Sequence, residues 1–157
     1  MGDRFWVETL GCPKNQVDSD KLVGTLEADG LVEATGPEDA DLVVVNTCAF
    51  IDEARQESVD TILDLSRRRH DRAELVVTGC MAERYADELT KEIPEIDAMV
   101  GTGALDRFND ALDADGGRMF RGERHYLPAA RAPRRIGTGD GSAWIKVSDG
   151  CDHTCSF

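Results

Sequence analysis

Five cysteines are the residues of this 157-residue chain whose type and spacing suit chemistry. Cys12, Cys48 and Cys80 lie 36 and 32 residues apart, and three residues separate Cys151 from Cys155 near the end of the sequence. No apolar run approaches the roughly 18 residues of a membrane span, and the first residues do not resemble a secretion signal. We therefore expect a cytoplasmic protein, in which disulfides are rare and thiols more often bind metals or do redox chemistry.

The first three cysteines each follow a stretch that is typical of a β-strand. Continuous β-branched runs at 41–46 (DLVVVN) and 74–78 (ELVVT) predict parallel strands buried on both faces, and 5–10 (FWVETL) predicts a shorter strand. Apolar residues at helical spacing predict helices over 17–29, 54–66, 82–93 and 105–112, and a short apolar run predicts one more strand at 97–100. This alternation predicts one doubly wound α/β domain over residues 1–113, with a flavodoxin-like parallel sheet and helices on both faces.

The remaining residues divide into a linker and a second strand-like segment. Residues 114–142 contain the turn-forming stretches DADGG, PAARAPRR and GTGDG, which predict a linker. Residues 143–148 (AWIKVS) read as a strand that leads into Gly150 and Cys151. We expect residues 143–157 to be the incomplete start of a second domain.

The strand pattern brings Cys12, Cys48 and Cys80 to the carboxyl ends of three strands. Those ends share one edge of an open parallel sheet, where such folds bind ligands. Three converging thiolates suit an iron–sulfur cluster or, less often, zinc. Gly11 and Gly79 directly precede cysteines, so the backbone can approach a bulky inorganic group. A group of redox or catalytic thiols is the alternative, and any one cysteine can be a small buried apolar residue.

Polar residues beside the cysteines leave two interpretations open. Asn15, Asn46 and Thr47 either donate hydrogen bonds to cluster sulfurs or cap loops. The helix predicted after each loop adds amide donors and a positive dipole end, which favour a thiolate. Asp18 and Asp52 are interpreted as charges at helix starts rather than acid–base catalysts.

The charge of the chain is strongly negative but unevenly spread. The formal net charge is -13, residues 118–157 carry +3, and the other 117 residues therefore carry -16. An acidic body disfavours direct contact with a nucleic-acid backbone and suits a basic partner such as a ribosomal protein. Solubility alone is an equally good explanation of this charge.

Several longer stretches resemble the radical S-adenosylmethionine methylthiotransferase family. They are LGCPKNQVDSDKL, VNTCAFIDEARQESVDTIL, VTGCMAERY, VGTGALDRF and the tail WIKVSDGCDHTCSF. The similarity covers residues 5–113 and 143–157. The sequences of these motifs are most similar to the RimO type, which acts on a ribosomal protein. The transfer-RNA branch, the MiaB type, usually has GCQMN at the first cysteine.

The resemblance implies an enzyme that adds a methylthio group to the β-carbon of an aspartate in small-subunit ribosomal protein twelve. Cys12, Cys48 and Cys80 would hold an auxiliary 4Fe–4S cluster. Cys151 and Cys155 would be two of three ligands of a second 4Fe–4S cluster, which binds S-adenosyl-L-methionine and passes it an electron that an electron donor supplies. The third of those cysteines and the barrel are missing here, so we expect an N-terminal piece that is inactive alone.

Two other functions stay open on the sequence. One is a methylthiotransferase of the MiaB type that acts on transfer RNA. The other is a flavodoxin-like binding or electron-transfer module with incidental thiols, which would bind a flavin or no cofactor.

Overall fold

A parallel β-sheet forms the centre of the computed structural model, which describes residues 3–113, 119–120, 130–137, 139, 141–148 and 151–156. Its strands in chain order are β1 (Arg4–Thr9), β2 (Val32–Glu33), β3 (Leu42–Thr47), β4 (Glu74–Gly79), β5 (Ala98–Val100) and β6 (Met119–Phe120). In space the order is β2-β1-β3-β4-β5-β6, and every pairing is parallel. The first five strands follow the flavodoxin-like order, so the predicted fold class is confirmed. β2 and β6 were not predicted, because two residues are too few to show a period.

Helices follow β1, β3, β4 and β5. They are α1 (Pro13–Ala28), α2 (Asp52–Arg68), α3 (Cys80–Arg84), α4 (Ala86–Glu92) and α5 (Phe108–Asp113), with 3₁₀ turns at Pro37–Asp39 and Thr102–Arg107. α1 ends as predicted before Gly30, whose φ is +92°. The amide of Leu31 then donates to the carbonyl of Leu26 at 3.0 Å, which closes the last turn in a Schellman motif.

Two predicted helices are divided in the structure. The segment 82–93 breaks at Tyr85, whose φ of −123° and ψ of 27° leave the helical region between α3 and α4. Ala82, Ala86 and Leu89 stay buried on both sides of the break, so the apolar period continues across it and cannot reveal it. The segment 105–112 divides in the same way into a 3₁₀ turn and α5.

The buried strands separate two apolar layers. On β3, Val43 and Val45 face the layer that contains α2, α3 and α4, whereas Leu42 and Val44 face the layer that contains α1 and α5. All six residues of β3 are buried, as the continuous apolar run predicted. Each fully buried valine or leucine stabilises the fold by about 1.5–3 kcal/mol. The carboxyl ends of β1, β3 and β4 are therefore held rigidly side by side.

The last described segments differ from their prediction. Residues 142–148 have no regular secondary structure, so the predicted strand at 143–148 is not confirmed. A strand needs a hydrogen-bonding neighbour, and no described strand pairs with these residues. The division of the chain at 113 and 142 stays a prediction, and residues 149, 150 and 157 lie outside the described part. None of the described helices is long and apolar enough to cross a membrane.

Candidate metal centre

The carboxyl ends of three neighbouring strands define the candidate site. Thr9 of β1 is in register with Asn46 of β3, and Asn46 is in register with Thr78 of β4. This row of three residues marks one edge of the sheet. The chain leaves it in three loops, each of which carries a cysteine.

The three cysteines occupy different local environments. Cys12 is exposed, lies three residues beyond β1 and is the N-cap residue of α1. Cys48 comes directly after β3 and is only 7% exposed. Cys80 comes directly after β4 and begins α3. A helix follows each of the three loops as predicted, but α2 begins only at Asp52, four residues beyond Cys48, so its start is not directly beside that thiol.

Close backbone approaches bring the three loops together. A Cβ atom added to Gly11 would lie 2.7 Å from Cβ and 3.0 Å from Sγ of Cys48, so the Cys12 loop lies directly against Cys48. A Cβ atom added to Gly79 would collide with the carbonyl oxygen of Thr47 and lie 2.5 Å from Oδ1 of Asn46. Both glycines therefore permit a close backbone approach, but Gly11 approaches Cys48 and Gly79 approaches the end of β3. Their approach to an inorganic group stays a prediction.

The thiol of Cys80 senses both other thiols. Burial raises its pKa above the usual value, and the negative charges of Cys48 and Cys12 raise it further. Arg84 and a hydrogen bond from the backbone of Ala49 act in the opposite direction. A thiolate at Cys80 is therefore disfavoured while the other two are charged, and a bound cation would relieve that repulsion.

Two buried asparagines tie the Cys12 loop to the neighbouring strand. The Asn15 side-chain amide donates to the carbonyl oxygens of Leu10 at 2.8 Å and of Thr47 at 3.0 Å. The Asn46 amide donates to the carbonyl of Asn15 at 2.9 Å and to the hydroxyl of Ser19 at 3.0 Å. These donors are used within the protein, which supports the loop-capping interpretation over donation to cluster sulfurs.

Two buried hydroxyls position the other two cysteine loops. Thr47 donates to the carbonyl of Thr78 at 2.6 Å and accepts from the amide of Met81 at 3.2 Å, directly after Cys80. Ser58 of α2 accepts from the amide of Cys48 at 3.1 Å and donates toward its carbonyl at 3.0 Å. Ser58 lies within the helix predicted over 54–66, and no sequence signal marks this contact.

A single ion and a four-iron cluster require different spacings of their ligands. Within the described ranges, no group of three or more His, Cys, Asp or Glu side chains is close enough to hold one metal ion. Zinc, the alternative to iron, requires ligands that converge on a single ion. In a cluster of four irons each thiolate binds its own iron, so the thiolates stand farther apart. Three thiols on three loops of one edge suit that arrangement.

A crevice opens beside Cys80. Its volume is about 160 Å³, and it is lined by Ala49, Phe50, Cys80, Glu83, Arg84 and Thr102. Phe50 is exposed, so an apolar surface stands next to the thiols. A larger and shallower hollow of about 760 Å³ lies over α2 among carboxylates and contains none of the cysteines.

The other predicted site residues do not join this group. Cys151 and Cys155 are both exposed, and neither is among the charges that act on Cys80. Asp52 is the first residue of α2 and pairs with Arg55, as expected of a charge at a helix start. Asp18 is not such a charge, because α1 begins five residues earlier, and its side chain is buried against Lys146 instead.

A known family model covers the part of the chain that forms this site. The model of the uncharacterized protein family UPF0004 matches residues 4–101, which include β1 to β5 and all three clustered cysteines. The chain belongs to the UPF0004 family. This UPF0004 chain is also similar to curated proteins named "Ribosomal protein uS12 methylthiotransferase RimO".

Three of these relatives illustrate the extent of the similarity. The protein from Myxococcus xanthus is 43% identical over 156 residues, which is 98% of this chain and 33% of the relative. The proteins from Anaeromyxobacter sp. (strain Fw109-5) and Geotalea uraniireducens are each 41% identical, over 98% and 95% of this chain and 33% and 35% of their own lengths. The UPF0004 chain thus spans about a third of the curated relatives it matches, which is consistent with an N-terminal portion.

Proposed function

We propose that this chain is the N-terminal part of a radical S-adenosylmethionine methylthiotransferase of the RimO type, and that Cys12, Cys48 and Cys80 hold its auxiliary 4Fe–4S cluster. One observation carries the proposal. Three strands that are adjacent in the sheet each deliver a cysteine to the same edge, in a chain that is 43% identical to a protein named a uS12 methylthiotransferase.

The residues of the chain hold and shield the site. When bound, the cluster would offer an iron without a protein ligand, at which sulfur can be held for transfer. Cys48 supplies a nearly buried thiol, whereas Cys12 is exposed and leaves one side of the site open to a reactant. Asn15, Thr47 and Ser58 fix the loops by buried hydrogen bonds, so the three thiols are positioned before any metal binds.

The substrate follows from the relatives' name and from the charge. We propose that the whole enzyme modifies an aspartate β-carbon of ribosomal protein uS12 and draws an electron from a donor protein. Cys151 and Cys155 would supply two of three ligands of a second cluster, which would chelate S-adenosyl-L-methionine. The acidic body of this chain suits a basic ribosomal protein as substrate.

Anaerobic reconstitution with iron and sulfide tests the metal site. We expect about four irons per chain in the protein with Cys151→Ala and Cys155→Ala, which leaves only the clustered cysteines. Adding Cys12→Ala, Cys48→Ala or Cys80→Ala to that protein should remove stable iron and its visible absorption. Iron that is retained equally by all three variants would refute the assignment.

Activity of the whole enzyme tests the substrate. Mass spectrometry of uS12 after reaction should show that a methylthio group has replaced one hydrogen of an aspartate. Methylthiolation of transfer RNA with no change in uS12 would favour the MiaB type instead.

A further inference from the structure

One face of α1 is covered by a distant basic segment of the chain. Gln16, Asp20, Gly24 and Glu27 recur at helical spacing and form a stripe along the helix, which we call the α1 stripe. Residues 133–137 lie along this stripe. A Cβ atom added to Gly24 would lie 2.5 Å from the amide nitrogen of Arg134, so only glycine permits this contact.

Asp20 is the centre of the contact. Its carboxylate, 4% exposed, pairs with the Arg134 guanidinium at 2.9 Å. The other carboxylate oxygen accepts from the Gln16 side chain at 2.9 Å and from the Gly137 amide at 3.3 Å. The carbonyl of Asp20 also accepts from the Arg135 amide at 2.9 Å. One residue of α1 therefore engages three residues of the segment.

A second buried pair extends the contact towards the last cysteines. Nζ of Lys146 lies 3.0 Å from both carboxylate oxygens of Asp18, and both side chains are 9% exposed. Arg134 also donates to the carbonyl of Trp144 at 2.8 Å, which ties the two parts of the segment together. Ion pairs buried to this extent lose much stability when one partner is removed, because the other charge stays desolvated.

The two ends of this arrangement lie next to cysteines. α1 begins directly after Cys12, and Lys146 precedes Cys151 by only five residues. We propose that the α1 stripe and Asp18 dock residues 133–137 and 144–146 so that the Cys151–Cys155 segment is held in a fixed position relative to the Cys12 loop. This role rests on the proposed function, in which sulfur held at the site of Cys12, Cys48 and Cys80 must reach a substrate carbon that reacts beside the S-adenosylmethionine held near Cys151 and Cys155. Asp18, Asp20 and Gly24 are then positioning residues that touch neither substrate nor cluster.

Hydrogen exchange of this chain tests the docking by itself. Gly24→Ala should speed exchange of the Arg135 and Gly137 amides at least about tenfold, which corresponds to about 1.4 kcal/mol. Alanine is the better helix former, so α1 and the core amides of β3 should keep their exchange rates. Glu33→Gln is the matched control, because Glu33 lies outside the α1 stripe and pairs with Arg135 where both side chains are more than a third exposed. It should change exchange at most about fivefold.

A charge exchange tests the second pair. Asp18→Lys and Lys146→Asp should each speed exchange of the segment amides at least about tenfold. The double variant restores the opposite charges and should recover most of the protection. If the Arg135 and Gly137 amides exchange in the unaltered chain as fast as in a free peptide, the docking does not exist.

The coupling between S-adenosylmethionine cleavage and methylthio transfer in the whole enzyme tests the positioning role. Gly24→Ala should raise the number of S-adenosylmethionine molecules cleaved per methylthio group transferred at least about tenfold. Iron content should stay unchanged. A lost docking with an unchanged ratio would overturn the role, because a purely structural contact would not alter coupling. Failure of the unaltered chain to bind iron would instead refute the proposed function, and the exchange data would still decide the docking.

Discussion

The side chain of Asn15 donates a 3.0 Å hydrogen bond to the carbonyl oxygen of Thr47, one residue before Cys48. Asn15 itself stands three residues after Cys12, and its side chain also donates to Leu10 on the other side of that cysteine. A single buried amide therefore connects two of the three cysteine loops. Its replacement should therefore change both the stability of the fold and the retention of iron by the cysteines.

Asn15→Asp keeps the shape of the side chain but removes both donated hydrogen bonds. We expect the free energy of unfolding to fall by about 1–3 kcal/mol, because two carbonyl oxygens lose their donor beside a new carboxylate. Iron should also dissociate faster from the reconstituted chain. Urea unfolding and the decay of visible absorption on chelator addition measure the two effects. Asn109→Asp is the control, since Asn109 bonds only the exposed Asp29 among the described contacts; equal iron loss in both variants would contradict this role of Asn15.

Gly79→Ala should be among the most damaging changes next to the site. Gly79 has φ 90° and ψ −161°, a backbone conformation that is essentially limited to glycine. Any other residue in this conformation loses about 1–3 kcal/mol of stability. Its added Cβ would also collide with Thr47, the last residue of the neighbouring strand β3. Gly30→Ala is the matched control, because Gly30 also has a positive φ of +92° but its added Cβ meets nothing within 4 Å. Urea unfolding should show a clearly larger loss for Gly79→Ala, and equal losses would show that the close approach has no energetic weight.

Thr47→Val should disturb the Cys80 loop at constant side-chain volume. The hydroxyl bridges the carbonyl of Thr78 and the amide of Met81, and its loss should cost about 1–3 kcal/mol because both partners are buried. Thr78→Val is the control, since that hydroxyl donates to the carbonyl of Val100 at 2.7 Å, away from the cysteines. Both variants should unfold at lower urea concentration, but only Thr47→Val should retain less iron.

Ser58→Ala should loosen Cys48 without touching its thiol. The hydroxyl accepts from the amide of Cys48, and its single hydrogen is shared between the carbonyls of Ala54 at 2.8 Å and Cys48 at 3.0 Å. Iron retention should fall, and alkylation of Cys48 in the metal-free chain should become faster because the loop opens more often. Thr90→Ala removes a comparable bond to the carbonyl of Ala86 in α4 and is the control. An unchanged alkylation rate in Ser58→Ala would contradict a role for this hydroxyl in holding the loop.

The parallel α/β fold class and the position of three cysteines at the ends of strands could be predicted from the sequence. Both depend on local patterns, since a continuous β-branched run marks a strand buried on two faces and right-handed crossovers then place successive strand ends on one edge. The break at Tyr85 could not be predicted, because the apolar face of the helix continues across it.

The sequence by itself determined which residue types reach the sheet edge, because each of the three clustered cysteines follows a segment that forms a parallel strand. Only the tertiary structure decided how those loops are braced and what covers α1. Ser58 meets Cys48 from the second turn of a helix, and Arg134 meets Asp20 from more than a hundred residues away. Such contacts depend on which surfaces pack together and exclude water. A polar helix face has the same pattern whether it meets solvent or a distant arginine.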